Sequence, residues 1–141
     1  MSARPRVTPD SVVGVIAVTG TSFEQQVMLR ADDRWVRLRV GSADSAALTR
    51  LGGVEAVVRG VADATGFGVR SFTVLRVDGA HVFDGVLRRD AGRLVLETTT
   101  GARLELGNPP PAFPALVGAR LWIGGALATG PNVYGVIVPP P

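Results

Sequence analysis

Trp35 and the arginines around it are the residues with most chemistry to offer. The segment Arg34-Trp35-Val36-Arg37-Leu38-Arg39 alternates strictly, which sends Trp35, Arg37 and Arg39 to one side of a strand and the aliphatic residues to the other. Just upstream, Val27-Met28-Leu29-Arg30 alternates in the same way. If the two segments pair as a hairpin, Met28 and Arg30 join the same outward side. An aromatic plane flanked by guanidinium groups suits a single nucleic-acid strand, whose bases stack while its phosphates are neutralised. One aromatic contributes about 1–3 kcal/mol per stacked base, so binding through Trp35 alone would be weak. The same residues also read as a solvated face in which the arginines sit with Asp32 and Asp33 and Trp35 covers a seam between domains.

Other candidates carry less. His81 is the sole histidine and there is no cysteine, so thiolate or histidine-rich metal sites and disulfide frameworks are not expected. Asp84 and Asp90 flank Arg88 and Arg89, which reads as solvated charge pairing. Thr98-Thr99-Thr100-Gly101 offers hydroxyls at a hairpin tip with no base beside them. The glycines of Leu51-Gly52-Gly53 do not make a phosphate loop, because the chain has no lysine to complete one. The expectation is a protein that is not an enzyme and holds no cofactor or metal.

The computed isoelectric point of 10.9 overstates the charge, since fifteen basic and twelve acidic residues leave only +3. All fifteen are arginine, so little titrates between neutrality and the arginine range. What matters is clustering. No apolar run approaches the roughly 20 residues that a membrane-spanning helix needs, and no membrane partner is expected. Arg4 and Arg6 before the run Val12–Val18 resemble the start of a secretory signal, but Asp10 interrupts the pattern. The reading is cytoplasmic, although an exported chain without its leader would look the same.

The elements that must position these residues appear twice. Val27–Arg30 matches Leu94–Glu97 at an offset of 67, and Val36–Gly41 matches Ala102–Gly107 at 66. Leu51–Gly60 matches Leu116–Gly125 at 65, Val69–Val74 matches Val133–Val138 at 64, and Gly14–Ile16 matches Gly85–Leu87 at 71. The first copy predicts strands over 12–18, 25–30, 34–40, 54–62 and 69–76, with hairpin loops at 31–33 and 65–68. A short helix begins near Ser42 or Asp44 in Ser42–Leu51. The second copy predicts strands over 82–88, 93–98, 102–106, 119–128 and 133–138. Its helix slot, Asn108–Gly118, holds four prolines and admits only an extended or single-turn connection. Pro5, Pro9 and Pro139–Pro141 read as extended tails.

The order β-β-β-α-β-β resembles the OB-fold, a partly open five-stranded Greek-key barrel. The phrase Leu48-x-x-Leu51-x-Gly53-x-x-x-x-Val58-x-Gly60 looks like its entry from helix to fourth strand, and Gly14 and Gly85 fall where its first strand bends. The fold expectation is therefore all-β: two small OB-like barrels in tandem, over 1–78 and 79–141, the first with a helix between its third and fourth strands. The resemblance implies a ligand face on strands two and three, hence Met28, Arg30, Trp35, Arg37 and Arg39. Copy two lacks that pattern. Its aromatic content moves to Trp122, expected outward beside Arg120, and to Tyr134, and these three residues form a candidate partner surface. Function divides between a non-enzymatic module for single-stranded nucleic acid or another oligoanion and a structural or protein-interaction module, with an oligosaccharide binder third. The sequence does not fix an oligomeric state.

Overall fold

The computed structural model describes residues 10–20, 25–127 and 129–141. Arg4, Pro5, Arg6 and Pro9 lie outside the described residues. The strands are β1 (Asp10–Gly20), β2 (Gln25–Ala31), β3 (Arg34–Arg39), β4 (Glu55–Asp63), β5 (Gly66–Val77), β6 (Ala80–Asp90), β7 (Arg93–Thr98), β8 (Arg103–Glu105), β9 (Arg120–Ala126) and β10 (Gly130–Val138). One helix, α1 (Ser42–Thr49), precedes β4, and a 3-10 turn over Phe113–Leu116 precedes β9. The chain divides into two units, Met1–Thr73 and Val74–Pro141, with the boundary inside β5.

In the first unit β1 pairs antiparallel with β2 and with β4, and β2 pairs with β3. Closure comes from a parallel contact, Leu38↔Phe67 and Arg39↔Gly68, between β3 and β5, together with pairing of β5 to β4. The result is a closed five-strand barrel, consistent at the level of the fold with an OB-like barrel. Strand alternation fills it: Ile16, Leu29, Val58 and Phe67 point inward and are fully buried. Leu48, also fully buried, comes from α1.

Two local expectations need correction. The residue preceding α1 in the capping position is the extended Gly41, and no side chain caps the helix. The helical ladder starts there because Ser45 N–H donates to Gly41 O at 2.9 Å. Glycine is tolerated at this position at a cost of only a few tenths of a kcal/mol relative to a polar cap. The second hairpin loop is also shorter than expected. It turns at Ala64–Thr65, and Gly66–Gly68 already belong to β5. Parallel pairing with β3 recruits those residues, and it places Phe67 in the core instead of a loop.

In the second unit the strands lie in the order β8-β7-β6-β9-β10, all neighbours antiparallel. Leu87, Leu96, Phe113, Leu121 and Ile123 form its core. Among the described residues no β8–β10 ladder matches the β3–β5 ladder. Pro131 stands 64 residues after Phe67 and has no N–H to give to such a ladder. The end of β8 is instead tied to the β9–β10 connection. Gly107 N–H donates to Leu127 O at 2.8 Å, and Asn108 Nδ2 donates to Thr129 O at 3.1 Å.

Local construction recurs in both units. A Cβ on Gly14 would lie 2.6 Å from Arg30 O, and one on Gly85 would lie 2.5 Å from Glu97 O, so each first strand crosses its neighbour where only glycine fits. Ile16 N–H donates to Val54 O and Leu87 N–H to Ala119 O, both at 2.9 Å. Gly53 and Gly118, both left-handed, return their N–H groups to Ile16 O and Leu87 O at 2.7 Å. The fifth-strand match is out of phase: buried Ile137 aligns with half-buried Thr73, not with buried Phe72 or Val74. A register shift between Val136 and Val138 accounts for the slip.

Candidate functional site

The β2–β3 hairpin turns at Asp32–Asp33, with Asp32 in the left-handed region that aspartate tolerates. Its register sets Arg30 directly opposite Trp35 and Met28 opposite Arg37. On the far side of β2, Val15 of β1 pairs with Arg30 and Ala17 with Met28. Val27, Leu29 and Leu38 are buried, so the intervening residues face out as the alternation requires. Arg30, Arg37 and Arg39 are exposed, Met28 is half-buried, and Trp35 is 56% exposed. The five residues of the candidate ligand face therefore share one surface of the first unit.

Trp35 also borders a groove of about 540 Å³, which Arg34, Arg37, Asp63, Thr65 and Phe67 help to line. That size lies within the ~300–1,000 Å³ of ordinary ligand clefts. A second hollow of about 470 Å³ meets the indole together with Val15, Arg30 and Gly52. Both open to solvent.

Electrostatics separate the arginines. Arg39 is ion-paired with Asp63 across 24 residues of sequence. Asp63 Oδ1 also accepts the Thr65 hydroxyl at 2.7 Å and the Thr65 N–H at 2.8 Å. These bonds, then the Arg39 guanidinium and the Gly66 N–H, hold its carboxyl below the usual carboxylate range. Asp63 thus pins the β4–β5 turn and occupies Arg39. By contrast, among the described residues no acid pairs with Arg30, Arg34 or Arg37. Arg34, which the alternation puts out of phase with Trp35, nonetheless lines the groove beside it. Sequence reasoning missed Arg34 and Asp63; the only signal for Asp63 was its place two residues before Thr65, the spacing of a side-chain-closed turn.

The candidate partner surface is arranged differently. Arg120 donates from Nε and Nη2 to the two oxygens of Asp84, at 2.8 and 2.7 Å. The Asp84 side chain is fully buried and also accepts the Val74 N–H at 2.7 Å. Asp84 is therefore no solvated partner of Arg88 and Arg89; burial demands a bidentate partner, and Arg120 supplies it. Trp122 is half-buried and lies across Gly135, where a Cβ would come within 2.3 Å of its Nε1. Tyr134 is half-buried and meets Phe113 edge-on at 4.9 Å. His81 lies on β6, opposite Arg76, with its ring edge-on to Phe83 at 5.1 Å.

Comparison with protein-family models, curated proteins and solved structures finds no match to this chain. No helix among the described residues is long and apolar enough to cross a membrane.

Proposed function

We propose that this chain is a non-enzymatic binding module, built as two OB-type barrels in tandem, that takes single-stranded nucleic acid on the β2–β3 face of its first unit. The observation that carries the reading is the placement of an exposed indole among Arg30, Arg34 and Arg37, none paired with an acid among the described residues. Bases stack on the indole and phosphates meet the guanidinium groups, without base-specific hydrogen bonding. Arg39 contributes less, because Asp63 already neutralises it. The tandem arrangement is supported by the matched glycine crossings and matched hydrogen bonds of the two units.

One aromatic and three cations give weak, salt-sensitive binding in the ~10⁻⁴–10⁻⁶ M range of non-specific affinity. Fluorescence of Trp35 in a Trp122→Phe background, titrated at low salt with a homopolymeric single strand, tests the proposal. Saturable quenching that salt reverses supports it. An unchanged spectrum together with no shift in the anisotropy of a labelled strand rejects it and leaves a protein-interaction role as the better reading.

A further inference from the structure

In the second unit Arg88, Arg93, Arg103 and Arg120 each belong to an ion pair. Arg89 is different: among the described residues no acid pairs with it. Its place on β6 is also unusual for a cation. Alternation puts Arg89 on the same side of the strand as Leu87, which is fully buried, and its register partner is Leu94 of the core. The counterpart 71 residues earlier is Val18, which pairs with Val27 as Arg89 pairs with Leu94. A valine on the core side of one unit is thus an arginine in the other.

Arg89 borders a hollow of about 510 Å³, lined also by Arg93, Leu94, Glu105, Leu106 and Pro109. That volume lies within the ~300–1,000 Å³ of ordinary ligand clefts. Leu94 and Leu106 belong to the core and bring its edge into the hollow, held side by side because Leu106 N–H donates to Leu94 O at 3.2 Å. Ala91 and Gly92 both take left-handed conformations, the two-residue turn that keeps Arg89 and Leu94 abreast. Arg93 and Glu105 neutralise each other at 3.6 Å. One uncompensated cation therefore stands beside an apolar patch.

We propose that this hollow binds a small organic monoanion, its carboxylate held by the Arg89 guanidinium and its apolar body resting on Leu94, Leu106 and Pro109. A guanidinium offers a carboxylate two parallel N–H donors, a match in shape as well as charge. One uncompensated cation suits one negative charge. A phosphate monoester carries roughly −1.5 to −2 at neutral pH and would stay partly unpaired there. The apolar body supplies the rest, because covering the exposed edge of the core removes hydrocarbon from water. The site lies within the second unit and stands whether or not the β2–β3 face takes a nucleic-acid strand.

The test follows backbone amides of the isotope-labelled full chain by NMR while phenylacetate is added. The expected result is a saturable shift centred on Gly92, Leu94, Leu106 and Gly107. Arg89→Gln, whose fold the same spectrum checks, should weaken that binding about tenfold, the loss of one charge-assisted hydrogen bond. Arg88→Gln removes an equal charge from the other side of β6 and should leave the affinity unchanged. Phenethylammonium, with the same body and the opposite charge, should give no saturable shift, nor should acetate or inorganic phosphate, which lack the body. No saturable response to phenylacetate overturns the proposal. So does an equal loss in Arg88→Gln, which would assign the binding to overall charge. Phenethylammonium binding as tightly as phenylacetate removes the role of Arg89, and acetate or phosphate doing so removes the role of the apolar patch; either result overturns the assignment.

Discussion

The two halves of the chain share a strand plan but present opposite surfaces on corresponding strands. At the offsets of the repeat, Met28, Arg30, Trp35, Arg37 and Arg39 correspond to Val95, Glu97, Gly101, Arg103 and Glu105. On the second unit the charges cancel locally: Arg103 bridges Asp90 at 3.1 Å and Glu97 at 3.5 Å, Arg88 reaches Glu97 at 3.7 Å, and Arg93 reaches Glu105 at 3.6 Å. On the first unit Arg30, Arg34 and Arg37 have no such acids among the described residues. Exposed ion pairs of the second kind contribute little stability, yet they erase the field a polyanion would feel. A difference of a few side chains on corresponding strands separates a surface whose arginines have no acid partner among the described residues from one whose charges are paired.

The largest effect should come from the buried ion pair of the second unit. Asp84→Ala removes the buried carboxylate that accepts from Arg120 and from the Val74 N–H, and should cost about 3 kcal/mol, the low end for a broken buried pair because part of Arg120 still reaches solvent. Urea unfolding followed by Trp122 fluorescence in a Trp35→Phe background measures it. A loss below about 1 kcal/mol would place the pair among ordinary surface contacts.

Next come the matched glycines. Gly14→Ala and Gly85→Ala each drive a methyl group against a carbonyl oxygen, and each should destabilise by about 1–3 kcal/mol as overpacking does. Similar costs at the two sites sharpen the correspondence between the units. A costly change at one and a silent one at the other would break it.

On binding, Trp35→Ala should weaken single-strand affinity by about 1–3 kcal/mol, while Trp122→Phe should leave it unchanged. Equal losses would assign the binding to the chain's overall charge. The smallest effect concerns Asp63. Its carboxyl titrates below the usual range, so the turn it closes is intact at neutral pH and loses those bonds only as pH falls through that lowered value. Asp63→Asn at neutral pH releases Arg39 while keeping an acceptor for Thr65. The salt dependence of binding should then steepen by about 0.7 in log–log slope, one further contact's worth.

Alternation made the ligand face legible: three buried aliphatics on β2 and β3 fix which side Arg30 and Trp35 occupy, and that information is local. Gly14 and Gly85 were legible because the repeat singled them out. What was hidden was non-local. Arg39 meets Asp63 across 24 residues and Arg120 meets Asp84 across 36, and no spacing rule connects them. The early start of β5 depends on a parallel partner, and a turn assigned from glycines alone cannot anticipate it. Among the described residues β8 and β10 form no ladder, and the bearing of Pro131 on that becomes readable only once Phe67 is known to be a ladder residue.

The central claim is that the first unit's β2–β3 face, and not the second unit's corresponding surface, carries the binding. The most direct measurement is the salt dependence of single-strand affinity for the wild type and for Arg30→Glu/Trp35→Gly, which installs the second unit's residues on the first. Three phosphate contacts predict a wild-type log–log slope near −2, at about 0.7 per contact, and the double variant should lose measurable binding while remaining folded. A variant that binds with the wild-type affinity and slope would contradict the account.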